Sequence, residues 1–307
     1  FDDERILDVR RMILADSVAD REAALETILP HQLKDFTELF QVMDGKTVCI
    51  RLLDPPLHEF LPQAEDAAEV AADLGIPKEK LDRALEMLHE FNPMLGHRGC
   101  RLAVTYPEIS VMQAKAIIMA AINVAKEGKV VKPEIMIPLI STVKELTYLK
   151  AVIKETADAL IAEAGVTLEY KIGTMVETPR AALVGGQVGA EAEFISYGTN
   201  DLTQMTFGFS RDDAGKFLKE YAAKGILPND PFAAVDQEGV GQLVEMCTKN
   251  AKAANKDIIV GVCGEHGGEP TSIDFFHRAG LNYVSCSPFR IPVAIISAAQ
   301  AEMRNRK

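Results

Sequence analysis

One stretch of the sequence joins a short apolar run to a polar turn that can carry chemistry. Residues 193–196 have the pattern of a buried strand, and residues 197–204 follow with a glycine, an amide and a carboxylate. Asp201 offers hard oxygen ligands for Mg²⁺, Asn200 offers an amide donor, and backbone N–H groups after Gly198 can meet an anion. The alternative interpretation is an Asx-rich turn that only caps a helix.

Other reactive side chains stand at the ends of other predicted strands. They are Arg51, Arg98, Arg101, Glu177, Cys263 and the segment 285–287. In a parallel barrel such ends lie on one face. Glu177 and Asp201 would give Mg²⁺ two carboxylates, and the arginines suit bidentate contacts with phosphate or carboxylate. The pattern predicts a site for a small, highly anionic substrate, although each residue alone has a structural alternative, such as a salt bridge, a helix-terminal charge or a packed thiol.

Cys263 lies in a glycine-dense turn that can approach a ligand closely or move as a lid. A thiol can act as an acid or base near neutral pH when its neighbours tune it. His266 and Glu265 on the same turn could take that role instead. A structural hydrogen bond is the commoner function of a loop histidine.

The elements around these residues alternate between strand and helix patterns. Strands are predicted at 47–54, 101–104, 134–140, 170–177, 193–199, 257–262 and 283–287. Helices are predicted over 3–43, 110–126 and 142–164, from 179, over 239–254 and 271–279, and from 292, with a long loop after 199. We predict an α/β fold of the (β/α)8 TIM type that lacks its first strand. A doubly wound sheet is the alternative, but the sequence has no glycine-rich phosphate loop after a first strand.

The domain organisation predicted from this pattern is one barrel over residues 1–307, with a helical excursion at about 57–95. The net charge of −12, without a basic stripe, predicts no nucleic-acid partner. Five cysteines without C-x-x-C spacing favour a reducing compartment over a disulfide or zinc framework. No signal peptide or long apolar run was identified, so we expect no membrane partner and a cytoplasmic location, or an organelle for the parent protein.

Five segments of the chain carry a family resemblance. They are residues 50–60, 96–102, 176–182, 198–204 and 263–268. Together they resemble the C-terminal, phosphoenolpyruvate-binding barrel of the phosphoenolpyruvate-utilising enzymes, over essentially the whole chain. Residues 54–60 and 204–208 are more similar to the pyruvate phosphate dikinases than to the synthase and sugar-phosphotransferase branches.

The resemblance implies a Mg²⁺-dependent phosphotransferase. A phosphohistidine on another domain of the parent polypeptide would pass its phosphoryl group to the enolate oxygen of pyruvate and so form phosphoenolpyruvate. Overall, ATP, pyruvate and phosphate would give AMP, phosphoenolpyruvate and diphosphate. The resemblance implies that Glu177 and Asp201 hold the metal, while Arg51 and Arg98 contact the phosphoryl end of the substrate.

The same resemblance assigns the remaining site residues. Asn200 and the backbone of Gly198 and Thr199 would receive a carboxylate or phosphate, and Cys263 would move the proton at the methyl or methylene carbon. It also implies a homodimer. The family's first barrel strand, its phosphohistidine domain and its nucleotide domain have no counterpart in the sequence, so we interpret the chain as a piece that would not complete the full reaction.

Three alternative functions stay open from sequence. One is a barrel like that of phosphoenolpyruvate synthase. Another is a metal-dependent pyruvate lyase or aldolase, which also pairs Glu and Asp at strand ends. The third is a non-catalytic dimerisation module. Exchange of pyruvate methyl protons without making or breaking a carbon–carbon bond would separate the phosphotransferase from the lyase.

Overall fold

A computed structural model describes residues 3–306, with side chains described from residue 5 onward. The described chain forms two compact units. Unit 1 comprises the residues up to Met136 together with Tyr148–Lys171, and unit 2 comprises Ile137–Thr147 together with the residues from Ile172 onward. The single barrel domain predicted for residues 1–307 stays a prediction, and the first strand expected before residue 1 lies outside the described residues.

Unit 1 is mainly helical. Its helices are α1 (Asp3–Ile13), α2 (Val18–Val42), α3 (Ala67–Leu74), α4 (Lys78–Leu88), α5 (Gly99–Thr105), α6 (Pro107–Lys126) and most of α7 (Val143–Ala164). Strands β1 (Thr47–Arg51) and β2 (Lys132–Ile137) pair in parallel, with Thr47 opposite Lys132 and Arg51 opposite Met136. Single 3-10 turns at Leu57–Phe60 and Pro93–Leu95 lie on either side of α3 and α4.

The core of unit 1 forms where amphipathic helices pack together. Its buried apolar side chains include Val9, Met12, Leu25, Ile28, Leu57, Leu102, Ile109 and Met112. Helix α6 is long and apolar enough, by length and composition, to cross a membrane, the one such helix in the described chain. Most of α6 is nevertheless buried within the protein, and α2 packs along it. That burial is typical of a core helix in a globular protein.

Unit 2 contains the parallel strands that carry the predicted site. They are β3 (Lys171–Val176), β4 (Phe194–Gly198), β5 (Ile259–Cys263) and β6 (Tyr283–Val284). Its helices are α8 (Pro179–Leu183), α9 (Gly185–Glu191), α10 (Thr199–Phe207), α11 (Arg211–Ala223), α12 (Val240–Ala254), α13 (Pro270–Arg278) and α14 (Ile291–Asn305), with 3-10 turns at Glu265–Gly268 and Pro288–Arg290.

Neighbouring strands in unit 2 follow chain order, because β3 pairs with β4, β4 with β5 and β5 with β6, all in parallel. A doubly wound sheet reverses its strand order at a switch point, whereas a barrel adds each strand beside the previous one. Strands β4 and β5 are largely buried, as strands are when helices cover them. The predicted α/β class of TIM type is confirmed, with six strands in the described residues.

Of the seven predicted strands, the one at residues 101–104 is wrong. These residues lie in α5, where the N–H of Tyr106 donates to the carbonyl of Leu102 at 2.8 Å. Cys100 and Leu102 are buried in the helix. A four-residue apolar run has the same sequence pattern in a buried helix as in a buried strand, so periodicity could not separate them.

The long loop predicted after residue 199 is also wrong, because that segment holds α10 and α11. Ser210 caps α11 by accepting a hydrogen bond from the N–H of Asp213 at 3.4 Å. The rings of Phe209 and Phe217 meet edge to face, with 4.9 Å between their centroids. Polar turn-forming residues at the start of each helix had hidden the helical pattern.

We predict that Gly173→Ala destabilises the protein. A Cβ at this position of β3 would lie 2.3 Å from the carbonyl oxygen of Phe194, a backbone atom that cannot move aside cheaply. Overpacking of this kind costs about 2 kcal/mol. Gly215 in α11 has nothing within 4 Å of an added Cβ, so Gly215→Ala should instead stabilise by up to about 1 kcal/mol through helix propensity. Urea unfolding of both variants checks the pair, and equal free energies of unfolding would contradict the packing argument.

Candidate active site

Three strand ends in unit 2 bring the predicted residues together. In the registers of the sheet, Val176 is opposite Tyr197, and Gly198 is opposite Cys263. The residues that follow β3 and β4, and the last residue of β5, therefore lie side by side. Glu177 follows β3, Thr199 follows β4, and Cys263 ends β5.

Glu177 is a buried carboxylate, with 1% of its surface exposed. Its Oε1 accepts a hydrogen bond from the backbone N–H of Leu139 at 2.6 Å. Leu139 adopts a φ of 61°, the only positive φ of a described residue other than glycine. Such a backbone is costly for leucine and occurs where surrounding structure enforces it, often at functional sites. Here it accompanies an N–H group directed at the Glu177 carboxylate.

Gly198 makes room for that carboxylate at the end of β4. A Cβ on residue 198 would lie 2.4 Å from Oε2 of Glu177 and 2.7 Å from Sδ of Met175. Both distances are far shorter than any non-bonded contact, so a larger residue would displace the Glu177 side chain. Glycine at this position is a geometric requirement of the site.

The polar residues after Gly198 open helix α10. Thr199 is buried, while Asn200 and Asp201 are partly exposed in the first turn. The first N–H groups of a helix have no intrahelical acceptor and favour negative charge. The Oδ1 atom of Asn200 is buried and has no hydrogen-bond donor in the part of the chain that the structure describes. An unsatisfied buried acceptor of this kind is rare in proteins and marks a place where a ligand donor or a cation fits.

Cys263 is partly exposed beside this helix start. Its thiol donates a hydrogen bond to the carbonyl of Tyr197, with 3.6 Å between sulfur and oxygen. The next residue, Gly264, lies against the amide of Asn200, because a Cβ there would be 3.4 Å from Nδ2 of Asn200. The thiol and the unsatisfied amide oxygen therefore belong to one cluster.

His266 is completely buried behind the thiol turn. Its Nδ1 lies 2.7 Å from Oγ1 of Thr199, and its Nε2 lies 2.9 Å from the carbonyl oxygen of Pro231. Burial lowers the pKa of the imidazole below its ordinary value of 6.5, partly offset by the Pro231 carbonyl. A ring held in this way favours the structural alternative for His266, and Glu265, the other alternative acid or base, is exposed to solvent.

Two of the three predicted arginines, Arg51 and Arg98, lie together in unit 1. Arg98 is 4% exposed, and its Nη2 is 2.5 Å from Oδ2 of Asp54. Arg51, at the end of β1, reaches the same oxygen at 3.2 Å, with 43% of its side chain exposed. One buried carboxylate thus holds two guanidinium groups and leaves a net positive charge. Such a pair suits an anionic ligand.

Asp54 was not singled out from the sequence as a site residue. The charges of Arg51 and Asp54 three positions apart were the available signal, but nothing local indicates that Arg98, 44 residues away, shares the same oxygen. Arg101, which the sequence placed beside the site, instead donates to the carbonyls of Leu95 and Gly96 at 2.8 Å. It fixes the loop that precedes Arg98.

The oxygen donors of unit 2 fit a magnesium ion. Glu177 and Asp201 are carboxylates, and the Asn200 oxygen is unsatisfied. Among described residues, no group of three or more His, Cys, Asp or Glu side chains could hold a metal unaided. Mg²⁺ is commonly bound through one or two carboxylates, with water and substrate oxygens completing the octahedron. The donor set therefore suits Mg²⁺ bound together with an anionic substrate better than a metal held by protein alone.

The burial of His266 makes folding stability depend on pH. Its pKa is lowered in the folded state, so the unfolded state binds more protons. Stability should be complete above the unfolded pKa of about 6.5 and decrease as the pH falls below it. We predict a larger loss of unfolding free energy between pH 7.5 and pH 5.5 for the wild type than for His266→Asn. Urea titrations at the two pH values test this, and equal losses would count against a neutral, buried ring.

Comparison with known proteins identifies the family of the chain. The family model described as PEP-utilising enzyme, PEP-binding domain, matches residues 9–303. The chain is 55% identical over 301 residues to the chloroplastic pyruvate, phosphate dikinase of Flaveria bidentis, covering 97% of this chain and 32% of that protein. It is 53% identical over 308 residues to the pyruvate, phosphate dikinase of Clostridium symbiosum, covering 100% and 35%.

A third relative is the pyruvate, phosphate dikinase of Rhizobium meliloti (strain 1021), 54% identical over 309 residues, with 100% of this chain and 34% of that protein covered. The chain spans about a third of the length of these curated relatives. The family match covers nearly the whole chain, and its strand ends carry the polar groups described above. The chain belongs to the PEP-binding domain family of the PEP-utilising enzymes.

Proposed function

We propose that this chain is the phosphoenolpyruvate- and pyruvate-binding part of a pyruvate phosphate dikinase. Its reaction is phosphoryl transfer between a phosphohistidine on another domain and the enolate oxygen of pyruvate. In the complete enzyme, ATP, pyruvate and phosphate give AMP, phosphoenolpyruvate and diphosphate. The observation that carries the proposal is the cluster of the Glu177 carboxylate, the unsatisfied Asn200 oxygen and the Cys263 thiol at adjoining strand ends. The relatives named pyruvate, phosphate dikinase support it.

In this proposal Glu177 and Asp201 hold Mg²⁺. The bound ion would supply Lewis-acid stabilisation of the developing enolate oxygen. Glu177 is suited to this role because the Leu139 N–H fixes one carboxylate oxygen, while the other lies against Gly198. A preorganised carboxylate loses little freedom when it binds a cation.

The remaining residues bind the anion. Arg51 and Arg98 contact the phosphoryl and oxygen-bearing end of the substrate, since guanidinium groups pair with phosphate in bidentate geometry. The Nδ2 amide group of Asn200 and the backbone N–H groups after Gly198 would donate to a carboxylate or phosphate oxygen at the start of α10. The salt bridges of Asp54 to Arg51 and Arg98 keep both arginines in place for this contact.

Cys263 is proposed to move the proton at carbon. The partly exposed thiol precedes Gly264, which lies against the Asn200 amide. It would protonate the methylene carbon of the enolate when pyruvate forms and remove a methyl proton in the reverse direction. A proton transfer of this kind requires no carbon–carbon bond change, which separates the proposal from a pyruvate lyase or aldolase.

We also propose a homodimer and a phosphohistidine domain in the parent polypeptide as partners. The Flaveria relative is chloroplastic by name, whereas the Clostridium and Rhizobium relatives are bacterial. The proposed location is therefore cytoplasmic in a bacterium, with an organelle as the alternative for a plant-type parent. The absence of nucleic-acid and membrane partners stays a prediction from sequence.

The metal assignment predicts that Glu177 and Asp201 act together. Glu177→Gln and Asp201→Asn should each weaken Mg²⁺-dependent binding of phosphoenolpyruvate at least about tenfold, because each variant removes an anionic metal ligand. Calorimetry on the 307-residue chain, with and without Mg²⁺, measures the effect. Glu193→Gln alters a carboxylate at the opposite end of β4, where it accepts from the N–H of Ile172, and serves as the control. Unchanged metal dependence in the double variant would remove both residues from the metal site.

The thiol assignment separates binding from chemistry. In a complete enzyme that contains this chain, Cys263→Ala should keep phosphoenolpyruvate affinity within a few-fold and slow pyruvate formation by roughly 10² or more. Phosphorylation of the carrier histidine by ATP and phosphate should persist, because it occurs on other domains. Arg51→Ala should damage binding and transfer together, since its charge pairs with substrate in ground and transition states alike.

Measurement of both partial reactions for both variants tests the thiol assignment. Pyruvate formation at a wild-type rate in Cys263→Ala would show that the thiol is not the proton donor. Cys247→Ala is the matched control, because that thiol is buried in α12 and burial raises its pKa to about 11.

A further inference from the structure

The buried imidazole of His266 connects three segments around the thiol. It lies in the 3-10 turn that directly follows Cys263 and Gly264. Through Nδ1 it reaches the first residue of α10, Thr199, and through Nε2 it reaches Pro231 in the segment between α11 and α12. No proposed step of the reaction uses this ring.

The hydrogen-bond partners of the His266 ring determine which nitrogen carries the hydrogen. The carbonyl of Pro231 can only accept, so Nε2 of His266 carries a hydrogen and donates to it. In the neutral ring Nδ1 is then an acceptor, and the hydroxyl of Thr199 donates to it at 2.7 Å. The same hydroxyl also lies 3.4 Å from the carbonyl oxygen of Cys263.

The hydrogen bond between His266 and Thr199 lies next to the Cys263 thiol turn. Thr199 is one residue beyond Gly198, which is opposite Cys263 in the sheet. A hydrogen bond that fixes the Thr199 hydroxyl therefore fixes the start of α10 relative to the backbone of Cys263. A second contact holds the segment between α11 and α12, where the N–H of Val235 donates to Oγ of Ser272 at 2.9 Å.

We infer that His266 is a positioning residue that holds the Cys263 turn against the start of α10 through Thr199. The inference rests on the proposed function of Cys263 as the proton donor. The ring itself does not touch substrate, because it has no exposed surface and both of its nitrogens are engaged within the protein. Its two contacts have different roles. The Thr199 contact aligns the thiol, while the Pro231 contact anchors the ring.

Two substitutions at His266 separate these contacts. An asparagine amide places a polar atom where Nδ1 lies, so His266→Asn can keep the contact with Thr199. A glutamine amide reaches the position of Nε2, so His266→Gln can keep the contact with Pro231 and lose the acceptor for Thr199. Thermal unfolding shows whether each variant is folded. Thr199→Val removes the hydroxyl from the other side of the bond.

The first readout is independent of activity. Iodoacetamide labelling, followed by peptide mass spectrometry, gives the alkylation rate of Cys263, with the exposed Cys49 of β1 as internal control. We expect His266→Gln to raise the Cys263 rate about fivefold or more by opening the turn, and His266→Asn to leave it within about twofold. The Cys49 rate should stay the same in all variants, because Cys49 lies in unit 1.

The second readout is exchange of pyruvate methyl protons in D₂O with Mg²⁺, followed by NMR. His266→Gln should lower kcat for exchange by about tenfold to a hundredfold with KM within about twofold, since misplacement of an aligned group affects the chemical step. His266→Asn should retain most of kcat. The effects of His266→Gln and Thr199→Val should not add in the double variant, because both break one hydrogen bond.

The outcomes are distinct. Wild-type alkylation and exchange in a folded His266→Gln would overturn the inference. Equal loss of both readouts in the Asn and Gln variants, with a common drop in melting temperature, would also overturn it by making His266 a general scaffold residue. If the wild type exchanges no methyl protons while the alkylation pattern is as expected, the proposed function fails and the His266–Thr199 alignment of the turn stands.

Discussion

The approach of Glu177 to the backbone at Gly198 is the contact on which the site depends. The carboxylate oxygen occupies the space where any other residue at position 198 would place its Cβ. That contact requires β3 and β4 to end level with each other, as their register provides. It also requires a donor for the second oxygen, which the left-handed Leu139 supplies. Burial of a carboxyl oxygen without a hydrogen-bond donor would cost free energy, and the Leu139 N–H avoids that cost for Oε1.

Charges are also paired at the arginine cluster of unit 1. One carboxylate oxygen of Asp54 forms salt bridges with both Arg51 and Arg98. The negative charge of Asp54 offsets the repulsion between the two guanidinium groups. One negative charge against two positive charges leaves the cluster attractive to an anion. An acidic protein, with a net charge of −12, thereby concentrates positive charge at one place in unit 1.

The strand ends can be predicted from the sequence, because each is a local change from apolar to polar residues, as at Glu177 and Cys263. A contact between residues that are distant along the chain cannot be predicted in this way. The hydrogen bond between His266 and Thr199 spans 67 residues, and nothing near either residue indicates it. A short apolar run is also compatible with both a buried strand and a buried helix. At residues 101–104 the helix is determined by burial in unit 1 and not by periodicity. The roles of the site residues stay predictions.

We propose that the adjoining ends of β3 and β4 combine a metal ion and an anion at Glu177, Asn200 and Asp201. A crystal of this chain grown with phosphoenolpyruvate and Mn²⁺ in place of Mg²⁺ tests it most directly, because anomalous scattering locates the ion without assumption. We expect one strong peak within about 2.5 Å of carboxylate oxygens of Glu177 and Asp201, with ligand oxygen completing the coordination of the ion. A peak elsewhere, or bound phosphoenolpyruvate with no ion at these carboxylates, would contradict it.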